Sequence, residues 1–313
     1  MNPRIKGIFN ILATPFTTDG AVDEVSLRRL VEFQIDKGCY GLTILGVLGE
    51  ASKLTIEERQ RVMDLVLETA AGHIPVIVGA SHDDLKTCIA LTRAAQAAGA
   101  DGVMIAPPRM AQQPPDDVLI RLYSEVADAV DTAIVVQDFP PVNGVIMSAD
   151  LLAALAERIA NCRYLKLEDP PLMEKIAAVR ARTDKFAIFG GLGGMFLLEE
   201  LACGADGTMT GFAFTEILVA VYQAYIADEP ERAERIFDRY LPLIRYENQP
   251  VINLSIRKLL LARRGAIAHA GLRQPFVPIH AVTQREIDWV MRRVGINDPT
   301  RKLVFDPPGH SFT

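Results

Sequence analysis

Ala98-Gly99-Ala100-Asp101-Gly102 decides the fold, because it recurs in altered form as Lys37-Gly38-Cys39-Tyr40-Gly41 and Cys203-Gly204-Ala205-Asp206-Gly207. Each copy follows a segment of helical period and precedes a short apolar run, so each reads as a helix end opening into a strand. A glycine just past a helix suits a left-handed cap, which a Cβ disfavours. Outward from these joints, apolar runs of strand length alternate with helical stretches to about residue 227. Strands are expected near residues 8–13, 41–45, 75–80, 102–106, 133–137, 163–167, 186–190 and 207–210.

Helices fill the gaps. Thr55 and Glu58 form a capping box ahead of a segment whose buried stripe is Val62, Leu65 and Val66, with Thr69 next in the row and Gly72 as a stop. The others are expected near 23–37, 84–98, 116–129, 148–160, 170–181, 193–203 and 213–227. Eight such units imply an α/β fold, a closed (β/α)8 TIM barrel over residues 1–228. A doubly wound sheet would want a Gly-x-Gly-x-x-Gly turn after its first strand, and residues 12–20 hold none. Beyond the eighth unit the strand signal stops. Helical segments at 230–245, 250–264 and 283–293 make a C-terminal helical extension over 229–297, with a loop at Pro275–Pro278 and a tail over 298–313.

The chain has 313 residues, half of them apolar, and 33 Lys+Arg against 39 Asp+Glu give a net charge of −6. No basic face for nucleic acid is expected. Cys39, Cys88, Cys162 and Cys203 lie far apart with no Cys-x-x-Cys pair, which favours free thiols over a disulfide frame or a metal site. Arg4 and Lys6 precede an apolar run that stops at Pro15 without a small-residue cleavage site, so it reads as the first strand. No apolar stretch approaches the roughly 20 residues that span a membrane, and the expectation is a cytoplasmic protein.

The chemistry is expected on the sixth strand, Arg163-Tyr164-Leu165-Lys166-Leu167-Glu168. Alternation gives Tyr164, Lys166 and Glu168 one face and the two leucines the other. If that face lines the barrel, an ammonium and a carboxylate have been placed in the interior, where such groups need a partner or a purpose. An exposed strand end carrying a solvated ion pair is the plainer alternative. A lysine attacks a ketone only as the free amine, a form that removal from water favours. By strand rise the two side chains start roughly 6 to 7 Å apart, within reach through one water.

Working residues of a barrel gather at the C-terminal strand ends. These are Thr14-Pro15-Phe16, Gly46-Val47-Leu48-Gly49-Glu50, Pro107-Pro108-Arg109, Gln137-Asp138-Phe139-Pro140, Lys166 with Glu168, Gly190-Gly191 and Thr210-Gly211. Thr14-Pro15-Phe16, Gly46, Gly49, Glu50, Pro140, Gly144, Lys166, Gly190 and Gly211 together resemble the dihydrodipicolinate synthase and N-acetylneuraminate lyase family of Schiff-base lyases. The resemblance runs to about residue 265. It implies a barrel with a C-terminal helical domain, a homo-oligomer (dimer or tetramer), no cofactor, no metal, and a small-molecule 2-oxo acid such as pyruvate held as an imine on Lys166.

Departures from the family pattern narrow the expectation. Val47 and Leu48 replace a pair of hydroxyl residues in the carboxylate-binding loop, leaving backbone N–H groups to bind. Gln137 stands in place of a proton-relaying tyrosine, and its amide cannot exchange a proton near neutral pH. Val142 takes the position of the arginine that binds the aldehyde substrate in true synthases, and Arg109 falls near the position of an inter-subunit aromatic. Gln137-Asp138 with Lys166-Leu167-Glu168, and Tyr246-Glu247-Asn248-Gln249, look like the sugar-acid dehydratase branch of L-2-keto-3-deoxyarabonate type. The implied activity is that of a hydro-lyase on a 2-keto-3-deoxy sugar acid. Lys166, Glu168 and Gln137 would be catalytic, and Thr14, Gly46, Val47, Leu48, Arg109, Gly190 and Thr210 would line the substrate.

Alternatives stay open: a pyruvate-dependent aldolase or synthase, and a 2-oxo-acid-binding relative without catalysis. A phosphosugar site at Gly190-Gly191 and Gly193-Gly194 competes with simple close packing of the turn. Glu50 is either catalytic, or caps the Ala51-Ser52-Lys53 turn or hydrogen-bonds backbone; Arg109 is a clamp or a surface charge, and His82 a solvated loop residue. Asp138 serves the site, orients Gln137 or pairs with a loop N–H.

Overall fold

The computed structural model describes residues 5–305; Arg4 and residues 306–313 of the expected tail lie outside the described residues. Eight parallel strands pair in chain order, and the last returns to the first to close a barrel. Strand β1 (Gly7–Ile11) is followed by α1 (Glu24–Asp36), β2 (Gly41–Ile44) by α2 (Ile56–Ala70), β3 (Val76–Gly79) by α3 (Leu85–Ala97), and β4 (Gly102–Ile105) by α4 (Asp116–Ala127). The second half runs β5 (Ala133–Asp138), a short α5 (Pro140–Asn143), α6 (Ala149–Arg158), β6 (Cys162–Leu167), α7 (Leu172–Arg180), β7 (Ala187–Gly190), α8 (Leu197–Ala202), β8 (Gly207–Thr210) and α9 (Thr215–Ile226). Three helices follow the barrel: α10 (Pro230–Glu247), α11 (Asn253–Arg263) and α12 (Ala281–Arg293).

Local chemistry sets these boundaries. Asp23 accepts from the Ser26 N–H at 2.9 Å and Asp84 from the Thr87 N–H at 2.9 Å, satisfying donors that a helix start leaves unpaired. Both bonds of the Thr55–Glu58 capping box are made. Gly38, Gly99 and Gly204 adopt φ of 76°, 89° and 95°, the left-handed conformation expected of the three joints. Every strand falls within two residues of its expected bounds. The largest departure is α8, which begins at Leu197 because Gly193 and Gly194, at φ 72° and 77°, break the helix expected from residue 193 into a 3₁₀ turn. In α2 the buried stripe also takes Met63 and Ala70, while Thr69 is only half-buried.

Two apolar clusters follow from the alternation of side chains. Phe9, Ile77, Met104, Val135, Tyr164, Phe189 and Met209 fill the lumen, with Phe9 and Phe189 edge to face at 5.7 Å. The Phe9 ring occupies the space that a Cβ would need at Gly41. Leu42, Val78, Val103, Val136, Leu165 and Ile188 face the surrounding helices in the larger cluster. Helix α10 packs along α9, with Ala233, Ile236, Phe237, Tyr240, Leu243 and Ile244 forming its buried stripe. The phasing at β6 positions the site: Tyr164 points into the lumen, so Lys166 and Glu168 point there too. All four cysteines are free, and no described helix is long and apolar enough to cross a membrane.

Candidate active site

Lys166 is 4% exposed and Glu168 5%, and Nζ of the first stands 2.7 Å from Oε2 of the second. The contact is direct, closer than the water-bridged spacing expected from strand rise. A buried ammonium and carboxylate at this distance neutralise each other, which offsets much of the cost of desolvating either. In register beside Lys166 on β5 lies Gln137, whose Nε2 donates to the same Glu168 Oε2 at 3.2 Å. The other oxygen, Oε1, accepts from the Leu192 N–H at 3.3 Å. Thus β5, β6 and the turn after β7 hold one carboxylate.

Asp138 follows Gln137 and therefore faces the helix layer. Lys175 Nζ stands 2.6 Å from Asp138 Oδ2 and 2.6 Å from Asp169 Oδ2, so Asp138 neither orients Gln137 nor enters the lumen. Burial pushes its carboxyl up to about 6 against the pull of Lys175.

The glycines after β7 are explained by packing. The place a Cβ would take at Gly190 is held by the Glu200 carboxyl, that at Gly191 by the Glu168 carboxylate, that at Gly193 by the Asn248 side chain, and that at Gly194 by Leu218. This favours the close-packing alternative over a phosphate cradle. Glu200 is fully buried with no polar side chain bonded to it, and desolvation, reinforced by Glu168, raises it to about 8.

At the rim after β2, Val47–Gly49 form a 3₁₀ turn entered through Leu45 at φ 56° and left through Glu50 at φ 54°. Thr14 Oγ1 donates to the Gly49 carbonyl at 2.7 Å and fixes the turn against the end of β1. Gly46 and Leu48 are half-buried, and Val47 is 66% exposed. Glu50 does not cap the Ala51–Lys53 turn. It is buried under the C-terminal segment, with Lys258 Nζ at 2.6 Å, Lys53 Nζ at 3.0 Å and the Arg273 N–H at 3.0 Å. Lys258 also stands 4.3 Å over the Phe16 ring, and burial pulls its ammonium down to about 8 despite Glu50.

The remaining expected residues lie apart from this centre. Arg109 is exposed, and its main-chain N–H donates to Asp83 Oδ1 at 2.9 Å. His82 is an exposed loop residue whose Nδ1 accepts from the Asp84 N–H. Thr210 is buried, and following the lumen residue Met209 it turns toward the helix layer. Sequence reasoning missed Leu192, Glu200, Lys258 and the buried pair Glu247–Arg257, 2.7 Å apart. For Leu192 the signal was the glycine run around it; for Lys258, which pairs with Glu50 across 208 positions, there was none.

Comparison with known proteins agrees with this geometry. The model of the dihydrodipicolinate synthetase family matches residues 4–293. An L-2-keto-3-deoxyarabonate dehydratase of Azospirillum brasilense is 34% identical over 297 residues, covering 93% of this chain and 95% of that protein. A 4-hydroxy-tetrahydrodipicolinate synthase of Pelobacter propionicus is 31% identical over 295 residues, covering 93% and 99%. The crystal structure of dihydrodipicolinate synthase from Rhodopseudomonas palustris matches with a TM-score of 0.88 at 36% identity, covering 94% of this chain and 99% of that one. With a lysine inside the mouth of a closed barrel and a family match along nearly its whole length, the chain belongs to the dihydrodipicolinate synthetase family.

Proposed function

We propose that this chain is a Schiff-base lyase that dehydrates a 2-keto-3-deoxy sugar acid, of the kind named by its Azospirillum relative. The observation that carries the reading is the carboxylate of Glu168 at 2.7 Å from Lys166 Nζ, on the lumen side of the lysine strand. The free amine of Lys166, its proton lost to solvent, adds to the C2 ketone, and the carbinolamine hydroxyl leaves as water with a proton taken up from solvent to form an iminium. The iminium withdraws electrons from C3, and Glu168 removes a C3 proton to leave an enamine. The enamine electrons then expel the C4 hydroxyl, which leaves as water with a proton returned by Glu168, and hydrolysis of the unsaturated imine frees Lys166. Gln137 holds the same carboxylate oxygen and exchanges no proton.

The substrate carboxylate is assigned to the main-chain N–H groups of Val47 and Leu48, which open the 3₁₀ turn and have no partner within it. Gly46 and Thr14 shape that turn. A homo-oligomer in the cytoplasm fits the family resemblance.

A pyruvate-dependent synthase or aldolase is the second reading, favoured by the synthase relative at 31% identity. The test is intact-mass spectrometry after incubation with pyruvate or with 2-keto-3-deoxy-pentonate, followed by borohydride reduction and peptide mapping. A reduced adduct on Lys166 is expected with both, with loss of water from the sugar acid before reduction. An adduct with pyruvate that adds to an aldehyde, without dehydration of the sugar acid, selects the synthase, and no adduct on Lys166 removes both.

A further inference from the structure

We propose that Asn248 is a positioning residue for Glu168, acting through the Leu192 peptide, an assignment that rests on the proton-transfer role proposed for Glu168. Lys166 and Gln137 hold Oε2, but the lysine contact must change when its nitrogen becomes an imine. The bonds from the Leu192 N–H to Oε1 and from Gln137 Nε2 to Oε2 do not involve that nitrogen, and among the described residues the first is the one bond to Oε1. Leu192 sits at φ 46°, in the left-handed region that a branched side chain disfavours, and a residue stays there only when its surroundings determine it.

The surroundings come largely from Asn248. Its Nδ2 donates to the Leu192 carbonyl at 2.8 Å, and its side chain occupies the space that a Cβ would need at Gly193. The other donor to that carbonyl is the Met195 N–H, at 3.3 Å and from inside the turn itself. Asn248 ends α10, and the neighbouring residues anchor it: Tyr246 Oη bonds Glu286 Oε2 at 2.6 Å, and Glu247 pairs with Arg257 and accepts from the Ala213 N–H at 3.1 Å. The N–H of Leu192 therefore touches the reacting carboxylate, and its C=O, in the next peptide unit, touches the end of the first helix beyond the barrel. The Tyr246-Glu247-Asn248-Gln249 segment thereby gains a physical role.

The test uses full-length Asn248→Leu, which keeps the volume and removes the donor, and Asn248→Asp, which keeps the shape and replaces the donor by an acceptor. Each is compared with Glu168→Gln and combined with it. With 2-keto-3-deoxy-pentonate, both Asn248 variants are expected to lose about 10- to 100-fold in kcat with KM within about threefold, since misplacing a reacting group by an ångström costs this much. Borohydride trapping of pyruvate on Lys166 is expected to proceed at the wild-type rate. In the Glu168→Gln background neither Asn248 variant should lower kcat further, because the group it positions has already lost its function. Unchanged kcat in both Asn248 variants, or losses that multiply with that of Glu168→Gln, overturns the inference. Unchanged kcat in Glu168→Gln itself overturns the role of Glu168 instead, so the two failures are told apart.

Discussion

The ammonium of Lys258 reaches across 208 positions to Oε1 of Glu50 at 2.6 Å, and neither side chain touches solvent. Helix α11 is thereby tied to the rim turn after β2, and the Gly271 carbonyl takes a second Lys258 proton at 2.8 Å. Removing one partner of a buried pair leaves an uncompensated charge, which costs on the order of 3–5 kcal/mol. Lys258→Met should therefore lower the urea midpoint sharply, although Met packs well on the Phe16 ring. Adding Glu50→Gln should recover part of the loss, because the stranded charge is then gone. A double variant as unstable as the single one would show that Glu50 is satisfied by Lys53 and Arg273 alone.

Lys166→Ala should abolish both borohydride trapping and turnover, as among the described residues no other lysine pairs with Glu168. Glu168→Gln separates the two steps. Its amide stays near Lys166 but accepts no proton, so pyruvate trapping should persist while dehydration falls by about 10²–10⁴-fold, the usual contribution of a positioned general base. Single-turnover mass spectrometry reads both steps on one sample. Loss of trapping to the same extent as dehydration would place Glu168 in imine formation only.

The barrel was legible because its signals are local. The Gly38, Gly99 and Gly204 caps, the Thr55–Glu58 box and period-2 apolar runs each report within a few residues of themselves. The same alternation placed Lys166 and Glu168 on one face. It also turns Asp138 away from the lumen, since adjacent strand residues point apart, and there Lys175 rather than Gln137 holds it. What stayed hidden was the identity of contacts made over long separations. Gly190, Gly191, Gly193 and Gly194 look alike in sequence, but each is kept bare by a side chain from a different element. Glu50 likewise looked like a local cap because its partners Lys258 and Arg273 come from the far end of the chain.

The family resemblance puts Gln137 in the place of a tyrosine, and its bond to Glu168 Oε2 at 3.2 Å defines what the amide can do there. It donates a hydrogen bond to a charged oxygen, a contact whose loss costs roughly 1.5–3 kcal/mol. Gln137→Met keeps the length of the side chain and removes the donor. If that bond matters most when Glu168 is ionised and waiting for the C3 proton, kcat should fall about 10- to 100-fold with imine trapping intact. Steady-state kinetics beside pyruvate trapping provide the check. A variant with wild-type kcat would leave Gln137 as lumen packing.

Glu200 lies beneath Gly190 with its carboxyl fully buried, and desolvation holds it up to about 8 against an ordinary 4.5. Between those values the folded protein keeps a proton that the unfolded chain has released. The native state binds more protons, so this group makes stability fall as pH rises, by at most about 1.4 kcal/mol per unit, until the loss is complete above the folded value. Glu200→Gln presents the neutral shape at every pH and removes the dependence. Its advantage over the wild type should be small near pH 5, grow through pH 7 and level off above pH 8, at a total on the order of a few kcal/mol. Urea melts of the two proteins at pH 5.5, 7 and 8.5 measure it. A difference that does not change with pH would mean that Glu200 is ionised throughout, and two negative carboxylates would then flank the Gly190-Gly191 peptide, one of them being the group proposed to accept the C3 proton.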